Sequence, residues 1–375
     1  MHTVAITGSE GFIGKHLARH LETSSDIEVL KIVKNEPLET LKDKLLSADT
    51  IYHLAGQNRP EDPKLFEEVN TQFTSEIATI LASSTKPLHI IFSSSTQAEG
   101  SSRYGKSKLA GELALKELSI DEKNRISIFR LPNVFGARAR PNYNSVIATF
   151  CHNINNDIPI DVHDGSHEVE FIWVGDLVKQ FAKLITETND TEKFDYLTAG
   201  PTHSITIGDL VTTIESFKHR FNRAVVPTYK NRFERLLHST YLSYKSPEKF
   251  GDFVDKKTDD RGWLFELVRS QEGGQVFASS TKPGITRGNH FHTHKIEKFC
   301  VVSGEAKICL RDVFSSNIIE YQVTGNDIQV INIPPFYTHS ITNIGDQELL
   351  TLFWTSEEFN PSNPDTTFED VRKYE

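Results

Sequence analysis

Tyr104-Gly-Lys-Ser-Lys108 places a phenol and an amine four residues apart, on one face if the segment is helical. An ammonium beside a phenol favours the phenolate. A lowering of about two to three pKa units would be worth roughly 3–4 kcal/mol between protonation states. That would bring the phenol toward neutral pH, where general acid catalysis is effective. Just upstream, Ser93-Ser94-Ser95 closes a strand, and ligands of open α/β sheets bind at the carboxyl ends of strands. Ser95 is the first choice to hold a substrate carbonyl there, with Ser94 as the alternative. Near the amino end, Gly8-Ser-Glu-Gly11-Phe12-Ile13-Gly14 follows a strand and opens a helix. Glycine lets the backbone turn tightly and approach a pyrophosphate without a Cβ in the way. The free N–H groups and dipole of the helix then receive the negative charge. The next strand ends in Leu30-Lys31-Ile32-Val33-Lys34. An NAD site usually has a carboxylate here, whereas a cation suits the 2′-phosphate of NADP. Lys34, with Lys31 second, predicts NADPH.

A different chemistry stands in the last third of the chain. His290 and His292 are two residues apart, so on a strand they project to one face. Glu297 and His339 can join them from neighbouring strands. Three imidazoles and one carboxylate suit a divalent transition metal.

These groups need a frame. Up to about residue 130, short apolar runs (3–7, 28–33, 50–54, 89–93 and 126–130) alternate with amphipathic segments at 12–21, 66–81 and 104–118. Such alternation predicts an α/β fold with a parallel sheet covered on both faces. From 141 to 244 a helix near 145–154, an extended stretch through Ile172 and helices from Asp176 and Asp209 suggest a substrate subdomain. Residues 245–253 contain the polar, turn-prone Lys-Ser-Pro-Glu-Lys and read as a linker. Strand-like alternation then dominates residues 254–375, as expected of a barrel or sandwich. The predicted domains are 1–244, the linker 245–253 and 254–375.

The chain has 375 residues and a formal net charge of −10, so no broad basic surface invites nucleic acid or an anionic membrane. No apolar run approaches the roughly 20 residues of a membrane span. Three cysteines are too few and too unpatterned for a disulfide framework, and Met1-His2-Thr3-Val4 lacks the features of a signal peptide. A cytoplasmic protein is expected.

Residues 1 to about 240 resemble the extended short-chain dehydrogenase/reductase family, through Gly8/Gly11/Gly14, His53-Leu54-Ala55-Gly56, Ser95, Tyr104/Lys108 and Arg130-Leu-Pro-Asn133-Val-Phe-Gly136. The resemblance implies a Rossmann-type, doubly wound sheet. It implies Tyr104 as proton donor and Lys108 as its tuner and a nicotinamide-ribose ligand. Ser95 becomes the carbonyl ligand, Leu54, Ala55 and Gly56 lie beside the cofactor, and Asn133 contacts a sugar nucleotide. Hexose dehydratases of the family carry Asp-Glu after the catalytic hydroxyl, whereas Thr96-Gln97 stand here, which disfavours elimination.

Residues 255 to about 360 resemble the cupins, which implies a jelly-roll barrel with His290, His292, Glu297 and His339 as metal ligands. Phe336 departs from a common glycine of the second motif, and the extra His294 is expected at the surface. Asp259-Asp-Arg-Gly262-Trp-Leu-Phe-Glu266 and Arg287-Gly-Asn-His290 also resemble segments of cupin-type deoxyhexulose epimerases. In metal-free members the histidine after Arg-Gly is the base; as a metal ligand His290 could not be, and the base is left open.

The order reductase–linker–cupin, with residues 142–150 and 239–244 between the motifs, resembles bifunctional enzymes of capsular polysaccharide synthesis. That implies C3 epimerisation of a UDP-2-acetamido-2,6-dideoxy-4-hexulose in the cupin, on the route to UDP-N-acetyl-L-fucosamine. Reduction of C4 with NADPH then gives UDP-2-acetamido-2,6-dideoxy-L-talose. Zinc and a homodimer involving the cupin are implied as well. The alternative is a reductase whose cupin is structural and dimerising.

Overall fold

The computed structural model describes residues 1–120, 123–186, 193–221, 229–253, 257–259, 262–264, 274–357 and 360–373. By packing, the chain forms two compact units. The first comprises 1–135, 142–145 and 168–204; the second comprises 136–141, 146–167 and 205–375.

The first unit is built on β1 (His2–Thr7), β2 (Ile27–Ile32), β3 (Thr50–His53), β4 (His89–Ser95) and β5 (Arg125–Leu131). Short β6 (Asn133–Phe135) and β7 (Glu168–Trp173) pair with each other, and β8 (Phe194–Leu197) joins the main sheet. Its order is β2-β1-β3-β4-β5-β8, and every pairing is parallel. The order reverses at β1, so the carboxyl ends of β1 and β3 border the crevice where such sheets bind ligands. Helices α1 (Phe12–Leu21), α2 (Leu38–Ser47), α3 (Phe73–Ala82) and α4 (Arg103–Lys116) follow the strands in turn. Leu41, Leu45, Ile77, Leu81 and Leu115 bury one face of the sheet. Leu17 and Leu21 cover the other with Leu177 and Phe181. The expected α/β frame is present, with two local differences. The segment at 66–81 is α3 preceded by a π-helical turn, Phe66–Gln72. The strand expected at 89–93 runs on to Ser95, which makes Ser94 and Ser95 part of β4.

The second unit contains helices α5 (Val146–Asn155), α7 (Ile207–Phe221) and α8 (Arg232–Leu242), while α6 (Val174–Thr186) belongs to the first. β9 (Thr202–Thr206) precedes α7. The strands that follow are β10 (Gly251–Phe253), β11 (Lys257–Asp259), β12 (Gly262–Leu264), β13 (Gln275–Thr281), β14 (Thr286–Phe291), β15 (Glu297–Ser303) and β16 (Glu305–Asp312). After them come β17 (Ile318–Thr324), β18 (Gln329–Ile333), β19 (Tyr337–Asn343), β20 (Leu349–Thr355) and β21 (Thr367–Phe368). Two antiparallel sheets, β10-β18-β15-β20-β13 and β17-β16-β19-β14-β21, enclose Phe299, Ile308, Leu310, Ile331, Ile341 and Phe353. This is the expected cupin-like β domain. Asp260, Arg261, Phe265 and Glu266 of the epimerase-like segment lie outside the described residues. Among the described residues no helix is long and apolar enough to cross a membrane.

Candidate active sites

In the first unit the glycine turn has the close approaches its composition predicts. Gly8 adopts φ +66°, and a Cβ there would lie 2.8 Å from Ala55 N. On Gly14 a Cβ would meet Gly8 O at 2.2 Å, a distance no side chain tolerates. Gly11 caps α1 without a side-chain hydrogen bond, which leaves the helix start for an anion. Phe12 and Ile13 form its first turn, half-buried, with Phe12 edge-on to His16. Leu54 and Ala55 N–H groups donate to Thr7 Oγ1 at 3.2 Å, tying the 54–56 loop to β1. A Cβ on Gly56 would lie 3.0 Å from Lys108 Nζ. The structure thus brings the glycine turn, the 54–56 loop and Lys108 together. Lys34 is exposed just beyond β2 and has no ion pair among the described residues, whereas Lys31 pairs with Glu22 at 2.6 Å.

Helix α4 begins with Ser102 Oγ accepting the Gly105 N–H at 2.9 Å, an N-cap. It packs against the 3₁₀ turn Thr96–Glu99 so closely that a Cβ on Gly105 would lie 2.0 Å from Gln97 O. That approach sets Tyr104 beside Ser95, with which it hydrogen-bonds. Ser95 Oγ accepts the Gln97 N–H (3.2 Å). Ser94 is engaged elsewhere: its hydroxyl donates to the buried carboxylate of Glu112. The geometry therefore separates the two serines and sets Ser95 at the phenol.

The expected lowering of the Tyr104 pKa is not present. Burial pushes the phenol up to about 12, against the pull of Ser95. Lys108 Nζ donates to Ser93 O at 2.9 Å and is not among the groups that shift the phenol. Burial also drives Lys108 down to about 8, opposed by Glu112. Asn133 begins β6, exposed, with Nδ2 donating to Glu170 O at 3.4 Å.

Two residues at this site escape the sequence reading. Buried Asn70 accepts the Gln57 N–H (2.7 Å) and donates to Gln57 O (2.9 Å) and Ser107 Oγ (3.0 Å), joining the 54–57 loop to α4. Its polar side chain inside an otherwise amphipathic segment was the available signal. Glu112 accepts from Arg130 Nε (3.0 Å), Arg130 Nη2 (2.7 Å) and the Tyr196 hydroxyl (3.0 Å). It stands four residues after Lys108, so the spacing rule that found the pair reaches it too.

In the barrel, His290, His292, Glu297 and His339 place one donor atom each within 4.8 Å of one another. β14 and β19 set His290 opposite His339, after a bulge between Gly288 and His290. Glu297 opens β15. Glu297 Oε2 lies 3.2 Å from His292 Nε2 and 3.0 Å from His339 Nε2. These three atoms are buried and lack a well-formed hydrogen bond, as donors facing a common centre would. The Nδ1 atoms point outward, His292 to Asp365 O at 2.5 Å and His339 to Tyr337 O at 3.1 Å. Carbonyls in those places fix Nδ1 as the protonated nitrogen and leave Nε2 as a ligand. Burial and the flanking His339 and His292 push His290 down to about 4. Burial raises the Glu297 carboxyl, but the adjoining His292 and His339 outweigh it and hold it well below its ordinary range. The donor set fits a divalent transition metal.

Phe336 adopts φ +60°, the left-handed conformation that glycine favours and where a bulky residue is an outlier. It is held there by stacking on Phe291 and Phe314 and by its N–H donating to His292 O at 2.7 Å. His294 is not at the surface as expected. Its side chain is 15% exposed between Asp365 (3.1 Å) and Glu357 (3.2 Å). Burial opposes its protonation, but the carboxylates push it up to about 9.

The family model described as the NAD dependent epimerase/dehydratase family matches residues 4–200, more than half the chain. The chain belongs to the NAD dependent epimerase/dehydratase family. A polysaccharide biosynthesis C-terminal domain matches residues 257–367, so this epimerase/dehydratase member carries an appended barrel. It is 35% identical to a UDP-2-acetamido-2,6-beta-L-arabino-hexul-4-ose reductase of Pseudomonas aeruginosa over 97% of each chain. It resembles the crystal structure of the capsular polysaccharide assembling protein CapF from Staphylococcus aureus. That match has 38% identity and a TM-score of 0.65, and covers 98% of this chain and all of CapF. A Bacillus cereus UDP-glucuronic acid 4-epimerase in complex with NAD matches 58% of this chain and 84% of its own at TM-score 0.52. At 19% identity that likeness speaks for the fold alone.

Proposed function

We propose that this chain is a bifunctional nucleotide-sugar enzyme of capsular polysaccharide precursor synthesis. The reductase part, 1–244, reduces C4 of a UDP-2-acetamido-2,6-dideoxy-4-hexulose to the L-talose-configured product. The barrel, 254–375, joined by 245–253, epimerises C3. The observation that carries the reading is identity along almost the whole chain with a reductase named for such a hexulose.

When bound, NADPH supplies the hydride. The Gly8–Gly14 turn would receive its diphosphate, and Lys34, clear of the ion pair that engages Lys31, would pair with the 2′-phosphate. The Tyr104 phenol stays protonated at neutral pH and donates its proton to the ketone oxygen. Ser95 donates a second hydrogen bond to that oxygen. Lys108, cationic below about pH 8, stabilises the phenolate left behind. Asn133 contacts the sugar nucleotide.

In the barrel, His290, His292, Glu297 and His339 would hold a divalent cation, and zinc suits this donor set. Its chemistry there is Lewis-acid support of the 4-keto oxygen, which acidifies the C3 hydrogen. All four donors face one centre, so the C3 proton is taken by a different side chain. That same fact favours the competing reading, a reductase with a structural barrel. We also propose a homodimer through the barrel. Val276 and Leu350, 55% and 41% exposed, lie on the outer sheet face with Cys300, Val330 and Leu352. A single-chain mass by light scattering would refute it.

The test is a paired assay on the hexulose: NADPH oxidation, and deuterium uptake at C3 in D2O without cofactor. The proposal expects both, with uptake surviving Tyr104→Phe and lost in His290→Ala. Oxidation without uptake establishes the structural-barrel reading. Neither signal, with NADPH binding intact, refutes the substrate.

A further inference from the structure

The segment after Asn360 is fastened to the metal cluster by contacts that the proposed chemistry does not use. Asp365 is its centre. Through Oδ1 its carboxylate accepts the Thr293 N–H (3.0 Å) and hydroxyl (2.6 Å). Through Oδ2 it accepts the N–H groups of His294 (3.1 Å) and Lys295 (2.9 Å). One side chain thus holds the three residues that follow ligand His292. The backbone carbonyl of the same Asp365 accepts His292 Nδ1. Lys295 Nζ closes the loop on Pro364 O at 2.8 Å.

The rest of the segment is locked independently. The wholly buried Arg311 guanidinium donates to Val371 O (2.8 Å) and Asp370 O (3.0 Å) and pairs with Glu369 (2.5 Å). β21 pairs with β14 opposite His290 and Phe291, and the Phe368 ring lies 6.1 Å from the His290 ring.

His339 needs no such device, because its Nδ1 partner is the carbonyl of Tyr337 two residues away. For His292 the partner is 73 residues distant in the chain, so its place depends on whatever pins Asp365. We propose that Asp365 is the positioning residue of the cation site: its carboxylate clamps the 293–295 loop, and its carbonyl sets the tautomer and aim of His292. This rests on the reading that the cluster binds a metal.

The full chain, loaded with zinc, is mixed with a chromogenic chelator to follow metal release, and the cobalt(II)-loaded form gives the ligand-field spectrum. Folding of the barrel in each variant is checked by a cooperative barrel transition in calorimetry of the full chain. Wild type is expected to hold one metal per chain. Asp365→Ala is expected to release it about 10- to 100-fold faster, the usual effect of losing an outer partner of a ligand, and to shift the cobalt spectrum. A folded Asp365→Ala protein with wild-type release and spectrum overturns the proposal. Where Asp365→Ala does not fold, Thr293→Val decides. It removes the hydroxyl's contacts with Asp365 (2.6 Å) and with His294 Nδ1 (3.2 Å) at nearly constant volume; faster release supports the clamp, and unchanged release overturns it. Wild type that binds no metal overturns the metal reading, and this inference with it.

Discussion

Two adjacent serines at the end of β4 have different partners, and their substitutions separate accordingly. Ser95 carries the Gln97 N–H on its oxygen and lies against Tyr104, whereas Ser94 donates to Glu112. Ser95→Ala is expected to lower kcat by about 10²-fold, the range of one lost transition-state hydrogen-bond donor. Ser94→Ala is expected to hold kcat within a few-fold but to lower stability by about 1–3 kcal/mol, because a buried acceptor loses its donor. Equal kcat losses in both would refute this division. The pH dependence follows from Lys108. The cation is the active form, so kcat/KM should fall as pH rises through about 8. Stability moves the other way. A base with its folded pKa depressed from 10.5 to about 8 binds more protons in the unfolded chain between those values, so stability rises with pH there. Opposite slopes of rate and unfolding free energy are the signature to measure, and Lys108→Met should remove both.

At the scale of the element, α4 is aligned by its third functional residue. Tyr104, Lys108 and Glu112 recur every four positions, and Glu112 ties the helix to Ser94 of β4, Arg130 of β5 and Tyr196 of β8. Among the described residues, Glu112→Ala leaves Arg130 only the exposed Glu99 as a carboxylate partner and takes the acceptor from Ser94 and Tyr196, which should cost about 1–3 kcal/mol. In urea it should move the unfolding midpoint at constant m, while Glu112→Gln, which keeps neutral acceptors, costs less. An unchanged midpoint would mean that α4 is held by packing alone. Legibility at this scale followed range along the chain. The Tyr–Lys pair and the His290/His292 pair recur at spacings that one helix or one strand imposes, and the glycine turn is a local motif, so they were visible as text. Glu297 and His339, by contrast, come from other strands. Ser95 rather than Ser94, the upward shift of Tyr104 and the ion-paired His294 depend on groups brought together by tertiary packing. Asp365, 26 residues beyond His339, carries no periodic signal at all. Phe336 shows the converse: its composition pointed away from a left-handed turn, and aromatic stacking holds it there.

For the molecule as a whole, the two compact units keep separate apolar cores, one around Ile51, Ile90 and Leu115 and another around Phe299, Leu310 and Phe353. The proposed cation site draws on β14, β15 and β19 of the second unit. Without a cation, the four donors that converge there face one another across a buried space. A ligand that binds only the folded state adds RT ln(1 + [L]/Kd), about 4 kcal/mol at a thousand times Kd. For a domain of this size that corresponds to a Tm change on the order of 10–20 °C. Chelation is therefore expected to split the calorimetric trace, drawing the barrel transition down by about that amount. The transition of the Rossmann unit, and its affinity for NADPH, should stay where they were. A trace unmoved by chelator, in protein shown by metal analysis to have lost its ion, would mean that the cation contributes nothing to the barrel's stability. Whatever the ion does would then lie in chemistry at C3, and the deuterium exchange assay becomes its only measure.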